Sequence, residues 1–173
     1  YVAYRFIYKN QISKRFGSKH VIETTTSGGF ADCVGNTPLV KLNCLSNLGH
    51  GCVILGKAEF LNPGGSTKDR IAREIVLDAE KRGDLAPGGT VVEGTSGSTG
   101  VSLALMALSH GYKCVIVLPD DVSKGKSDLL EEFGAKVTRV KAAAIVNDEN
   151  YVTSARKLAE KIPGAYFCDQ FEN

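Results

Sequence analysis

From residue 35 onward, short runs of branched apolar residues alternate with longer stretches of helical period, and this alternation limits the chain to one class of fold. Strands are predicted at residues 39–42, 52–58, 90–92, 113–118, 135–140 and 165–168, and helices at 67–82, 99–110, 124–133 and 151–161. In the first helix Ile71, Ala72, Ile75, Val76 and Ala79 recur on one face of a 3.6-residue period. Strand and helix in regular succession predict an α/β fold, an open, mostly parallel sheet with flanking helices and right-handed crossovers. Ligands in such sheets sit outside the carboxyl ends of the strands, which directs attention to the loops that follow them. The stretch 101–108 is apolar nearly all round, so its helix is expected deep between the sheet and another layer.

Charge narrows the class of partner. The 173 residues carry a formal net charge of +2, but Arg5, Lys9, Lys14, Arg15 and Lys19 lie in an opening stretch with no acid before Glu23. The remainder holds sixteen cations against nineteen acids, too acidic a body for nucleic-acid binding, which needs a basic stripe on the folded domain. Residues 1–34 are therefore set apart as a basic N-terminal segment, and 35–173 as the folded region. The opening tyrosine gives the expectation that the natural start lies upstream. The acid-free, Ser/Arg-containing composition fits a mitochondrial targeting segment, and its aromatic start fits the end of a membrane anchor; a basic tail with no address, in a cytoplasmic protein, is the alternative. The cysteines (Cys33, Cys44, Cys52, Cys114, Cys168) are odd in number and have no C-x-x-C pair or neighbouring histidine. A reduced compartment and no metal site follow, with Cys52, Cys114 and Cys168 acting as small hydrophobes in or beside strands.

Two loops carry chemistry. Asn62-Pro63-Gly64-Gly65 is a turn that leads into Ser66-Thr67-Lys68-Asp69, where Ser66 and Asp69 have capping-box spacing and set the helix start near Thr67. Lys68 then sits in the first turn, where the helix dipole opposes a cation and favours the neutral amine that attacks an aldehyde. A Schiff-base lysine and a solvated helix-start lysine both satisfy that pattern. After the strand at 90–92, Glu93-Gly94-Thr95-Ser96-Gly97-Ser98-Thr99-Gly100 combines glycines with hydroxyls and helix-start amides, a set suited to a carboxylate or phosphate. Its spacing fits neither a dinucleotide fingerprint nor a P-loop. A glycine-rich turn capped by its own serine and threonine is the alternative.

The run Asn62 to Ala72 resembles the cofactor-lysine segment of the cysteine synthase and cystathionine β-synthase family, fold-type II pyridoxal-phosphate enzymes with a tryptophan-synthase-β-like fold. The second loop is similar to that family's Thr-Ser-Gly-Asn-Thr-Gly, and Asp169-Gln170-Phe171-Glu172-Asn173 to its Gln-Phe-x-Asn. The likeness begins near Gly35, through Asn36-Thr37-Pro38-Leu39, and runs to the last residue. It implies pyridoxal 5'-phosphate held by Lys68, which also serves as the base. It implies a substrate carboxylate held by Thr95, Ser96, Gly97, Thr99 and Gln170. Ser98 stands where the family has an asparagine against the cofactor ring, and reaches less far. The implied reaction is β-replacement: O-acetylserine and sulfide, or another thiol, giving cysteine. Cystathionine synthesis, serine dehydration or a truncated non-catalytic homologue are the alternatives. The resemblance also implies a homodimer at full length. It implies too that the cofactor-phosphate loop and the residue facing the pyridine nitrogen lie beyond Asn173, so that this is the N-terminal half of a two-domain enzyme.

Overall fold

The computed structural model describes residues 29–46 and 52–173. The segment expected to carry a targeting or anchor sequence therefore lies, up to residue 28, outside the described residues. Among those described, no helix is long and apolar enough to cross a membrane.

Two single-turn helices, α1 (Phe30–Cys33) and α2 (Asn43–Ser46), and two short strands, β1 (Leu39–Lys41) and β2 (Leu55–Lys57), precede a 3-10 turn at Glu59–Leu61. The alternating part follows: α3 (Lys68–Arg82), β3 (Thr90–Gly94), α4 (Ser98–His110), β4 (Lys113–Pro119), α5 (Lys124–Glu132), β5 (Ala135–Val140), α6 (Tyr151–Ala159) and β6 (Ala165–Phe167). The last four strands form one wholly parallel sheet in the order β5-β4-β3-β6.

The sheet is parallel because each strand is followed by a helix long enough to carry the chain back to the same end. It is covered on both faces, and the period of two along the strands divides the core. Val91, Cys114, Ile116 and Leu118 join α3, α4 and Leu130 of α5 on one side. Val92, Val115 and Val117 meet Ala155 and Ala159 of α6 on the other. Coverage on both sides explains why residues 114–119 of β4 read as an unbroken apolar run. Helix α3 buries the expected face, with Ala72, Val76 and Ala79 out of solvent, and ends on Gly83 in the left-handed conformation. Ahead of the sheet, α1 places Ala31 in the core, and Arg73 Nε donates to the Ala31 carbonyl at 3.1 Å.

Several expectations need correction. The first two strands do not join the parallel sheet; they pair antiparallel with each other, Leu39 opposite Lys57, and among the described residues the link between them holds the single turn α2 and no crossover helix. The second is three residues long, so Cys52 lies outside it and is exposed. Burial does push the Cys114 thiol up to about 12 and that of Cys168 well above its ordinary range, as fits small hydrophobes. Helix α4 is buried along most of its length, but Leu108 is exposed. The capping box is not formed: Ser66 Oγ accepts from the Lys68 N–H at 3.2 Å, while the Asp69 carboxylate turns instead to Gly64.

Candidate active site

Strand order locates the site. β3, β4 and β5 progress in one direction with α4 and α5 on one face, and then α6 crosses the other face to place β6 beside β3. The order reverses between β3 and β6, so the crevice beyond their carboxyl ends is the topological switch point where open α/β sheets bind ligands. Three segments meet there: the loop after β3, the turn after β6 and, through α3, the lysine turn.

Lys68 is the first residue of α3 and is half-buried. The turn in front of it is fastened from both sides. Gly64 N–H donates to Asp69 Oδ2 at 2.6 Å, and a Cβ at Gly64 would lie 2.3 Å from Asp69 Oδ1, so a side chain there would have to displace the Asp69 carboxylate. Gly65 follows with φ of 77°, a conformation few residues other than glycine adopt. Upstream, Glu59 receives Arg70 Nε at 2.8 Å, Arg70 Nη2 at 2.9 Å, Asn62 Nδ2 at 2.9 Å and the Thr37 hydroxyl. The Arg70 guanidinium, with Thr37, holds the Glu59 carboxyl down at about 2. Asn62 Oδ1 in turn accepts from Gly35 N–H at 2.9 Å, which ties residues 35–37 to the start of the lysine turn.

The hydroxyl loop begins where β3 ends. Thr95 is buried and its Oγ1 accepts from Gly97 N–H at 3.3 Å, while Ser96 and Ser98 are exposed. Thr99 donates its hydroxyl to Gln170 Oε1 at 2.7 Å across 71 residues of sequence. Gln170 is held at two further points, its N–H donating to Glu93 Oε2 at 3.2 Å and its Nε2 to the Gly94 carbonyl at 3.4 Å. A Cβ at Gly97 would meet nothing within 4 Å, so this part of the loop faces open space.

The two loops are joined by a contact that sequence reasoning did not anticipate. The buried Ser102 hydroxyl, one turn into α4, donates to Asp69 Oδ1, and Ser102 Oγ lies 3.1 Å from the Ser98 carbonyl. Asp69 therefore fastens the lysine turn to the helix that carries the hydroxyl loop. Lys68, Thr95, Gly97, Ser98, Thr99 and Gln170 thus fall in one connected region, and Ser96 lies in the same loop. Glu93 was also missed; its signal was an acid at the end of an otherwise apolar strand. Burial pushes its carboxyl up to about 7, with the Gln170 and Gly94 amides partly opposing.

Comparison with known proteins bears directly on this arrangement. Residues 30–173 match the model of the family described as pyridoxal-phosphate dependent enzyme. The chain belongs to that family. Cysteine synthase 1 of Neurospora crassa is 55% identical over 145 residues, covering 84% of this chain and 38% of the relative. Cystathionine beta-synthase of Mus musculus is 44% identical over 142 residues, 81% of this chain and 25% of the relative. A crystal structure of O-ureido-L-serine synthase aligns with a TM-score of 0.75 at 38% identity, covering 84% of this chain and 44% of that one. The resemblance to cysteine synthases and cystathionine β-synthases, the parallel-sheet fold and the pyridoxal-phosphate cofactor expected from the sequence all agree with these findings. The chain spans less than half the length of these relatives.

The residues present suit the reactive part of that cofactor. A primary amine at a helix start faces aldehyde chemistry, and the neighbouring loop offers hydroxyls and amides to a carboxylate. Among the described residues no cluster of His, Cys, Asp and Glu could hold a metal ion.

Proposed function

We propose that this chain supplies the lysine and the substrate-carboxylate loop of a pyridoxal-phosphate enzyme that forms cysteine from O-acetylserine and sulfide. The observation that carries the reading is the Asp69–Ser102 contact, which sets the lysine turn and the hydroxyl loop side by side at the switch point. The 55% identity to a cysteine synthase supports the choice of reaction.

Lys68 would hold the cofactor covalently, and its amine, when free, would be the base that takes the proton from the substrate α-carbon. Pyridoxal phosphate, when bound, supplies the electron sink that makes this proton removable. Thr95, Ser96, Gly97, Thr99 and Gln170 receive the substrate carboxylate, which fixes the α-carbon in front of the lysine and leaves the β-substituent free to depart. Ser98, which stands where the family that the loop resembles has an asparagine, would face the cofactor ring. Acetate leaves and sulfide adds at the β-carbon. The 44% identity to a cystathionine β-synthase favours a second reading, in which homocysteine is the incoming thiol and serine the acceptor.

Two further elements belong to this proposal: the enzyme works as a homodimer, and its basic opening segment directs it to the mitochondrion, with the cytoplasm as the alternative. Sedimentation and imaging of a tagged protein test them.

The visible spectrum of the holoenzyme tests the chemistry. A band from covalently held cofactor is expected, shifting on addition of O-acetylserine; no band removes the cofactor role, and an unshifted band removes the synthase reading alone. Lys68→Ala should abolish attachment, so borohydride fixation of cofactor to that variant would show that the lysine is misassigned.

A further inference from the structure

Glu93 is a fully buried carboxyl group that the reaction described above does not use. Its Oε1 accepts from the N–H of Gly94 at 3.0 Å and its Oε2 from the N–H of Gln170 at 3.2 Å. The Gly94 carbonyl accepts from Gln170 Nε2, and Gln170 Oε1 accepts from the Thr99 hydroxyl. The contacts close a ring: Glu93 grips both backbone amides, and the Gln170 carboxamide spans from the end of β3 to the start of α4. Asp169, immediately before, has φ of 47° and pairs with Arg156 of α6 at 3.1 Å, so the turn reaches Glu93 in a fixed and otherwise unfavourable conformation.

We propose that Glu93 is a positioning residue for the substrate-carboxylate loop, acting through Gln170 to hold the Gln170 carboxamide in place between the end of β3 and the Thr99 hydroxyl. The inference rests on the reading of Thr99 and Gln170 as carboxylate ligands. A carboxyl group is suited to the task because its two oxygens meet two converging amides, whereas an apolar side chain would leave both N–H groups unpartnered in the interior. The loop beside this ring is open at Gly97, where the ligand would enter.

The test is a double-mutant cycle in the holoenzyme, comparing Glu93→Gln, Gln170→Ala and the pair. The glutamine retains size but has one acceptor oxygen for two amides. Glu93→Gln should keep the covalent cofactor band and raise KM for O-acetylserine by about tenfold, with a smaller change in kcat. In the pair the KM should be no higher than in Gln170→Ala alone, since Glu93 acts through that side chain. An unchanged KM in Glu93→Gln, or multiplicative effects in the pair, would overturn the proposal. Thr99→Ala separates the two levels: if it and Gln170→Ala bind substrate normally, it is the carboxylate-loop reading that fails. Should Glu93→Gln not fold, Glu93→Asp keeps the charge but is one methylene short of the Gln170 amide, and the same KM rise is expected; a normal KM there counts against the proposal.

Discussion

Replacing Gly94 by alanine adds one methyl group where α6 crosses the end of β3. That Cβ would lie 2.5 Å from the Tyr151 carbonyl oxygen, 2.7 Å from Val152 Cα and 2.9 Å from the Tyr151 carbonyl carbon. These atoms are all backbone, so no rotamer change can relieve the contact, and the helix must retreat by about 1 Å to restore ordinary van der Waals separation. The retreat loosens Val92, Val115 and Val117 from Ala155 and Ala159, the small apolar cluster on that face. Overpacking of this kind costs about 1–3 kcal/mol, and an obstacle made of backbone places Gly94→Ala at about 3 kcal/mol. Urea denaturation is the assay, with the loss read as a lower midpoint at unchanged slope. Gly125→Ala is the control, because a Cβ on that residue of α5 meets nothing within 4 Å and should gain about 0.5 kcal/mol from helix propensity and a less flexible unfolded chain. A loss below about 0.5 kcal/mol in Gly94→Ala would refute the claimed approach of α6 to β3.

Three other outcomes are expected. Because burial raises the Glu93 carboxyl from 4.5 to about 7, the folded state holds that proton more tightly than the unfolded chain. Its contribution to stability is full below pH 4.5 and falls away as the pH rises through 7, by on the order of 3 kcal/mol. Glu93→Gln should flatten the dependence between pH 5 and 8 in urea melts, and an equal slope in both proteins would show that Glu93 is not its source. Glu59, lowered to about 2, works with the opposite sign: its stabilisation is present above pH 4.5 and lost as the pH falls toward 2. Arg70→Gln should therefore be less stable than the parent at pH 7 and match it near pH 2, a difference readable by circular dichroism. Ser98→Asn, which restores the residue found in the family that the loop resembles, should leave covalent cofactor attachment intact and raise kcat; a slower enzyme would mean that serine is the better fit in this loop.

Most of the fold could be read from the sequence because the central strands β3 and β4 are buried on both faces and their apolar runs stand out, while β5 and β6 at the sheet's edges follow helical stretches of clear period. The first two strands carried the same branched residues, but Val40, Ile54 and Leu55 are exposed, so composition alone did not tell an isolated ribbon from a sheet member. For the candidate site, motif spacing singled out Lys68, Thr95, Thr99 and Gln170, which the structure brings into one region. The side chains that hold them in place were not. Asp69 matched a capping pattern at three-residue spacing, yet its partners are Gly64 behind it and Ser102 on another helix, and local sequence carries no record of a contact 33 residues away. Glu93 shows the same gap, since an acid ending an apolar strand announces that it needs partners but not that one of them is an amide 77 residues later.

The 71 residues between Thr99 and Gln170 also have a temporal meaning. During synthesis the hydroxyl loop leaves the ribosome well before its glutamine exists, and β6 can take its place beside β3 only after β4, α5, β5 and α6 have been made. Loop closure over that distance makes the Thr99–Gln170 bond one of the more entropically demanding contacts in the domain. The proposed carboxylate grip therefore depends on a long-range closure, and a nascent domain halted before residue 170 would present its lysine turn with the opposing segment still unmade.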